Sequence, residues 1–308
     1  MCKIVVIGST NTDMAIQTEH LPGVGDIVAG GRFRLSAGGK GAIQAVAASR
    51  LGGSVSLITK TGNDLFGRQA KQMFAEEGIR TDYIFPDPNH PSGVALIMLN
   101  KAGDKYISLA QGGITTLSKA EIDKCRNELQ EARVVLIELE TPIETALYAA
   151  RVARENNVPV IINPSPRQTL PDILYRLATI MAPNRTEARM MTGIEITDWD
   201  SAMEAAKIIE AKGVETTIIT MGPIGALLYH KGVFERFPAV DVTVLDSSGA
   251  GDVFCAAICV ALSERKSFTQ AMNFANHAAA LTITREGMME AIPYRHEVET
   301  LLDGNGDY

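Results

Sequence analysis

The chain is poor in cysteine and has no excess of positive charge. Cys2, Cys125, Cys255 and Cys259 are its four cysteines. Cys255 and Cys259 share a helix face, but no second pair offers metal-ligand spacing, so all four read as reduced thiols. Lys and Arg number 29 against 36 Asp and Glu, a formal net charge of −7. That balance argues against general binding to nucleic acid or to an anionic membrane. No apolar run approaches the length that spans a bilayer. Met1 to Gly8 runs directly into a buried-strand pattern, with no secretory signal visible. These absences point to a cytoplasmic protein. Internal repeats and low-complexity tracts are missing too. So is any P-loop of the form Gly-x-x-x-x-Gly-Lys-Ser/Thr.

What is present is a substantial core, with 46% hydrophobic residues in 308. Short β-branched runs recur at Ile4–Ile7, Ser56–Thr59, Val134–Glu138, Val160–Asn163, Ile180–Ala182 and Thr217–Thr220. Helical patterns separate them at Gly41–Leu51, Gly67–Glu77, Pro142–Asn156 and Asp200–Lys212. Alternating strands and helices predict a parallel sheet covered on both faces. Ligands bind such sheets beyond the carboxyl ends of the strands. Two segments, Met14–Leu35 and Thr81–Leu109, break the rhythm with strand-like alternation. They predict a small β-layer at one edge, either a lid over the site or a plain sheet extension.

The stretch Asp246-Ser247-Ser248-Gly249-Ala250-Gly251-Asp252 follows an apolar strand-like run and opens an apolar helix over Val253–Leu262. Its glycines allow close approach of an anion to the main chain. The first-turn N–H groups lack intrahelical partners and point at that anion. Asp252 in such a cradle reads as a base that takes a proton from an attacking hydroxyl, or as a helix N-cap. Phe254 stands where a dinucleotide fingerprint would need its last glycine. Asn11 and Asp13, just after the first strand, offer the acceptors and donors that polyol recognition requires, or form an Asx-turn. Gly38-Gly39-Lys40-Gly41-Ala42 precedes a small-residue helix. Asn184 and Glu187, three apart, read as a capping box and as a site for magnesium, which keeps most of its waters.

These motifs, in this order, resemble the ribokinase (PfkB-type) family of carbohydrate kinases over essentially the full length. Gly41-Ala42-x-Gln44-Ala45-Val46-Ala47-Ala48, Gly93-Val94-Ala95-Leu96-Ile97 and Asn163-Pro164-Ser165-Pro166 strengthen the likeness. The resemblance implies a ribokinase-like α/β domain over 1–308 with a small β-sheet lid at about 14–35 and 81–109. It implies transfer of the γ-phosphoryl of ATP to a primary hydroxyl of a pentose or related sugar, with ATP, magnesium and potassium as cofactors, and a homodimer. It assigns Asp252 as base and Gly249, Ala250 and Gly251 as the anion hole. Asn11, Asp13, Gly39, Lys40, Glu140 and Asp246 would hold the sugar. Asn184, Glu187, Thr220, Gly222, Gly225 and Asn276 would serve the nucleotide, with Glu187 organising magnesium and Asp246 the cation loop.

Three positions depart from that pattern. Ile43 replaces an Asn that contacts the sugar, which predicts a changed acceptor. Ala291 replaces a Ser of the cation loop, leaving backbone carbonyls for potassium. Arg185 replaces a common acidic residue. A nucleoside or sugar-phosphate kinase of the same fold, or a retired kinase acting as a sensor, are the alternatives. Arg32 and Arg34 in the lid would bear on the sugar-phosphate reading.

Overall fold

Runs of aliphatic and β-branched residues need cover on both faces, and here helices supply it. The computed structural model describes residues 3–164 and 169–304. Cys2, Ser165 and Pro166 lie outside the described residues. In chain order the strands are Lys3–Ile7 (β1), Asn11–Gln17 (β2), Arg32–Gly38 (β3), Ser54–Gly62 (β4), Ile84–Asp87 (β5), Gly93–Leu99 (β6), Lys105–Ala110 (β7), Val134–Glu138 (β8), Val160–Asn163 (β9), Ile180–Met181 (β10), Thr216–Thr220 (β11), Gly225–His230 (β12) and Val233–Pro238 (β13). Among the described residues, nine form one sheet in the order β13-β12-β11-β10-β9-β8-β1-β4-β5. Its pairings are parallel from β5 to β11, and antiparallel from β11 to β12 and β12 to β13.

One face is covered by the helices Lys40–Arg50, Leu65–Glu76, Ala250–Ser263, Phe268–Ile283 and Arg295–Leu302, with Ala45, Phe74, Ala256, Ala275 and Val298 in the shared core. On the other face pack Ile143–Glu155 and Asp172–Leu177, and Arg185–Thr192 and Trp199–Ala211 cover β11 and β12. The close fit of β1 to the helix Lys40–Arg50 depends on two glycines. A Cβ on Gly8 would lie 2.6 Å from the Cα of Gly41. The end of the first strand therefore abuts the start of that helix, backbone to backbone.

The remaining four strands make a separate sheet in the order β3-β2-β6-β7. Its segments are 11–17, 32–38, 93–99 and 105–110, so the small layer begins at Asn11 rather than Met14. Within the expected 81–109 segment, Ile84–Asp87 instead pairs with β4 in the large sheet. A second correction concerns the run before Asp246. Val242–Leu245 forms no strand, and Val244 and Leu245 are exposed. The β12–β13 hairpin already occupies that sheet edge, so the run crosses to Phe268–Ile283, where Leu245 and Asp246 N–H donate to the Ile283 carbonyl.

Candidate active site

The parallel strands all end at one edge of the large sheet. That edge carries Ser9 and Asn11 after β1, Glu138 to Glu140 at β8, Asn163 at β9 and Asn184 after β10. Across from them lies the start of the helix Ala250–Ser263. Gly249 is its N-cap, with φ of 77°, a left-handed conformation that glycine takes without strain. Asp252 is therefore not the cap. It lies in the first turn, buried, with its carboxylate turned to the helix Lys40–Arg50. Asp252 Oδ1 accepts a 2.9 Å hydrogen bond from Gln44 Nε2 and lies 3.2 Å from Lys40 Nζ. Its Oδ2 has no hydrogen-bond partner among the described residues. The N–H groups of Ala250 and Gly251 belong to the unpaired first turn beside it.

Burial alone would lower the Lys40 ammonium, but the carboxylates of Asp252, Glu187 and Glu138 outweigh it and raise its pKa above the ordinary lysine value. Lys40 is thus a fixed cation beside Asp252. Ile43, on the same helix, is buried at 1% exposure and sits under the glycine loop. A Cβ on Gly249 would stand 3.8 Å from its Cγ2.

Alternation along β2 puts Asn11 and Asp13 on one face, both buried, and turns Met14 and Ile16 to the other. Asn11 Oδ1 is buried without a partner. Asp13 receives no hydrogen bond among the described residues, and burial, with Glu140 nearby, pushes its carboxyl up to about 6. Glu140 accepts from the Ser9 hydroxyl at 2.6 Å. These are acceptors without enough protein donors among the described residues. Register adds Ala95 and Leu109 to that inner face, opposite Asp13 across β6 and β7. The outer face carries Ile16, Phe33, Leu35, Leu96, Met98 and Tyr106, all exposed. Arg32 and Arg34 are exposed on β3, and Arg34 pairs with Glu286 at 3.5 Å.

The capping box at the helix Arg185–Thr192 is present. Asn184 Oδ1 accepts from Glu187 N–H at 2.9 Å, and Glu187 Oε2 accepts from Asn184 N–H at 2.9 Å. Glu187 is almost fully buried, and burial raises its carboxyl to about 7 against the opposing pull of Lys40. Thr220 closes β11 beside it, its N–H donating to the Pro183 carbonyl at 3.0 Å. Gly222 follows, and a Cβ there would approach the Arg185 guanidinium to 4.0 Å. Gly225 has φ of 115°, and a Cβ on it would meet the Phe237 carbonyl at 2.0 Å. Its glycine is demanded by the β12–β13 hairpin. Asn276 Nδ2 donates to the Phe237 and Pro238 carbonyls, at 3.3 and 3.1 Å, tying its helix to that hairpin. Asp246 Oδ1 accepts from Ser248 N–H at 2.9 Å and shapes the turn into the glycine loop. Gly39, the N-cap of the helix Lys40–Arg50, joins the two sides.

Two buried polar groups escaped sequence reasoning. Glu138 is fully buried and bridges two loops, accepting from the N–H of Ser9 and, at 2.8 Å, of Glu140. Burial and Glu140 raise its pKa. The signal was a carboxylate closing the apolar run Val134–Ile137. Gln44 is likewise buried, bonded to Asn163 Oδ1 at 3.0 Å as well as to Asp252. Its signal was a carboxamide inside a helix otherwise made of small apolar residues.

An anion cradle, a carboxylate with one free oxygen, a fixed cation and a face of unpaired acceptors can together accept a polyol and move a phosphoryl group onto it. Comparison with known proteins agrees. A pfkB family carbohydrate kinase model matches residues 1–295. The chain is similar to a ribokinase of Haemophilus influenzae, 37% identical over 300 residues that cover 97% of this chain and 98% of that protein. It is also similar to a deoxyribokinase of Salmonella typhi, 32% identical over 98% of this chain and 99% of that one. Among solved structures, an Arabidopsis thaliana ribokinase complexed with ribose and ATP superposes with a TM-score of 0.92 at 28% identity, covering 97% of this chain and 98% of that chain.

Proposed function

The chain belongs to the pfkB family of carbohydrate kinases and is an ATP-dependent, ribokinase-like sugar kinase, and from that premise we propose that it phosphorylates the primary hydroxyl of a pentose that lacks a hydroxyl where Ile43 faces it. The observation that carries the chemistry is the half-engaged Asp252 carboxylate. Its Oδ1 is held by Gln44 and Lys40, and Oδ2 is left for the acceptor. Oδ2 takes the proton of the sugar hydroxyl, the alkoxide oxygen attacks the γ-phosphorus, and ADP leaves. The N–H groups of Ala250 and Gly251 and the Lys40 ammonium stabilise the charge that develops on the phosphoryl oxygens.

Asn11, Asp13 and Glu140 receive the sugar's hydroxyls, with Gly39 and Lys40 beneath the ring and Asp246 shaping the adjoining turn. Asn184, Thr220, Gly222, Gly225 and Asn276 frame the nucleotide side. Glu187 suits magnesium, which asks for few protein ligands. Its Oε2 is committed to Asn184, its Oε1 takes no partner among the described residues, and no larger cluster of metal-ligating residues occurs among them. Magnesium bound there would neutralise charge on the nucleotide phosphates. Ala291 offers no hydroxyl to potassium, so potassium in the Asp246 loop would rest on backbone carbonyls. We place the protein in the cytosol, where ATP is abundant. Among the described residues, no helix is long and apolar enough to cross a membrane. A second copy would cover the outer face of the small sheet, since an exposed apolar sheet face favours pairing with another chain.

The apolar surface of Ile43 argues for the acceptor. A sugar hydroxyl pressed against it loses a partner, at about 1–3 kcal/mol, or roughly tenfold to a hundredfold in kcat/KM. The likeness to a deoxyribokinase supports the same reading. A panel of pentoses, deoxypentoses and nucleosides assayed by ADP release tests it. A deoxypentose should be preferred to ribose, and Ile43→Asn should move the preference toward ribose. A native enzyme that prefers ribose with a tight KM, and an Ile43→Asn variant that changes nothing, would remove the specificity assignment.

A further inference from the structure

We infer that Gln44 and Asn163 are positioning residues for the general base, holding Asp252 so that Oδ2 alone faces the acceptor hydroxyl. The inference rests on the reading of Asp252 as that base. Gln44 has no exposure and lies among Ala42, Ala45, Val46, Ala47 and Ala48 in the helix Lys40–Arg50. A buried carboxamide there costs free energy unless its groups are used. Both N–H bonds of its Nε2 are used. One meets Asn163 Oδ1 at 3.0 Å and the other meets Asp252 Oδ1 at 2.9 Å.

The polarity of the whole chain follows from its far end. The Ala182 carbonyl can only accept, so Asn163 must present Nδ2 to it, at 2.9 Å. Asn163 is then left with Oδ1 toward Gln44. Gln44 must answer with Nε2, and its second N–H reaches Asp252. A carbonyl just past the end of β10, immediately before Pro183, thereby dictates that Asp252 Oδ1 is an acceptor. Lys40 Nζ reinforces the same oxygen at 3.2 Å. The cost shows on Gln44 itself, whose Oε1 is buried without a partner. Reversing the amide would turn Oε1 against both Asn163 Oδ1 and Asp252 Oδ1, so the unpaired oxygen is the lesser penalty.

The arrangement gives a specific kinetic signature. Gln44→Met keeps the side-chain length and removes the N–H groups. We expect kcat to fall by about tenfold to a hundredfold while KM for sugar and for ATP stays within about threefold. Asn163→Ser should give a smaller loss of the same kind, and it serves as the second variant should Gln44→Met fold poorly. The decisive measurement is a double-mutant cycle with Asp252→Asn. If Gln44 and Asn163 act through Asp252, their substitutions change the residual kcat of Asp252→Asn by less than about twofold. Native-like kcat in both single variants, or a full multiplicative loss in the Asp252→Asn background, overturns the inference while leaving Asp252 as base. Asp252→Asn retaining more than about a tenth of kcat overturns the base assignment itself.

Discussion

Asp13→Asn separates the cost of a buried acceptor from its use. Asp13 is 5% exposed, receives no hydrogen bond among the described residues, and titrates near 6 instead of 3.8, first because it is buried and then because Glu140 is close. A carboxyl whose folded pKa is raised stabilises the native state fully below its unfolded pKa. That contribution is lost as pH rises from about 4 through about 6. The gap between 3.8 and about 6 converts to about 3 kcal/mol of stability missing above that window. Asparagine cannot titrate and escapes the loss. Thermal or denaturant unfolding without ligands should therefore show the variant gaining on the native protein by up to about 3 kcal/mol between pH 4 and 7.5. Function should move the other way. Sugar hydroxyls donating to Asp13 favour its charged form, so the native KM for sugar should fall as pH rises through about 6. In Asp13→Asn the KM should be high and flat across that range. A stability difference independent of pH, or an unchanged KM for sugar, would refute the reasoning.

Three further outcomes follow from the geometry. Asp252→Asn should lose about 10²–10⁴-fold in kcat while calorimetry finds nucleotide binding largely intact. Glu187→Gln preserves the acceptor for Asn184 N–H and so keeps the capping box. Its magnesium activation curve should move to higher concentration with little change in Tm, and a lowered Tm with an unmoved curve would leave Glu187 a structural cap. Gly225→Ala forces a Cβ to within 2.0 Å of the Phe237 carbonyl at φ of 115°. It should cost about 2–4 kcal/mol of stability by denaturant titration, since a strained φ and a backbone clash act together.

The fold was legible where hydrophobic pattern and position agreed. The runs at Val134–Glu138 and Val160–Asn163 become β8 and β9, because four or three apolar residues bounded by polar ones have one place to go in a doubly covered sheet. Val242–Leu245 has the same composition and forms no strand, because the edge it would join is taken by β13. That is decided by tertiary competition, which a local pattern does not contain. Ile84–Asp87 went to β4 for a similar reason, although its neighbours in sequence build the small sheet. In the site, the donors and acceptors of Asn11 and Asp13 marked them for a polyol, although their place within β2 did not show, and glycine spacing announced the cradle at Gly249. Glu138 and Gln44 were hidden because each looks like an isolated polar intrusion. Their meaning lies in partners 129 and 119 residues away.

Charge balance ties these groups together. The cleft gathers Asp13, Glu138, Glu140, Glu187 and Asp252, and Lys40, partly buried, is held charged by three of them, Asp252, Glu187 and Glu138. Asp13 and Glu187 answer the shortage by titrating upward, and Glu138 does so in full burial. A nucleotide triphosphate entering such a cleft alone would add like charge to a low-dielectric site, where repulsion is strong. On the proposed reading it enters as its magnesium complex, so the cation that Glu187 awaits offsets both the phosphates and the carboxylate surplus. Lys40 contacts one of these carboxylates directly, that of Asp252. Its ammonium is shared in electrostatic reach among three carboxylates, and it touches only Oδ1. On the proposed reading, the proton-accepting oxygen is the one left outside the internal network, and the network is what keeps it there.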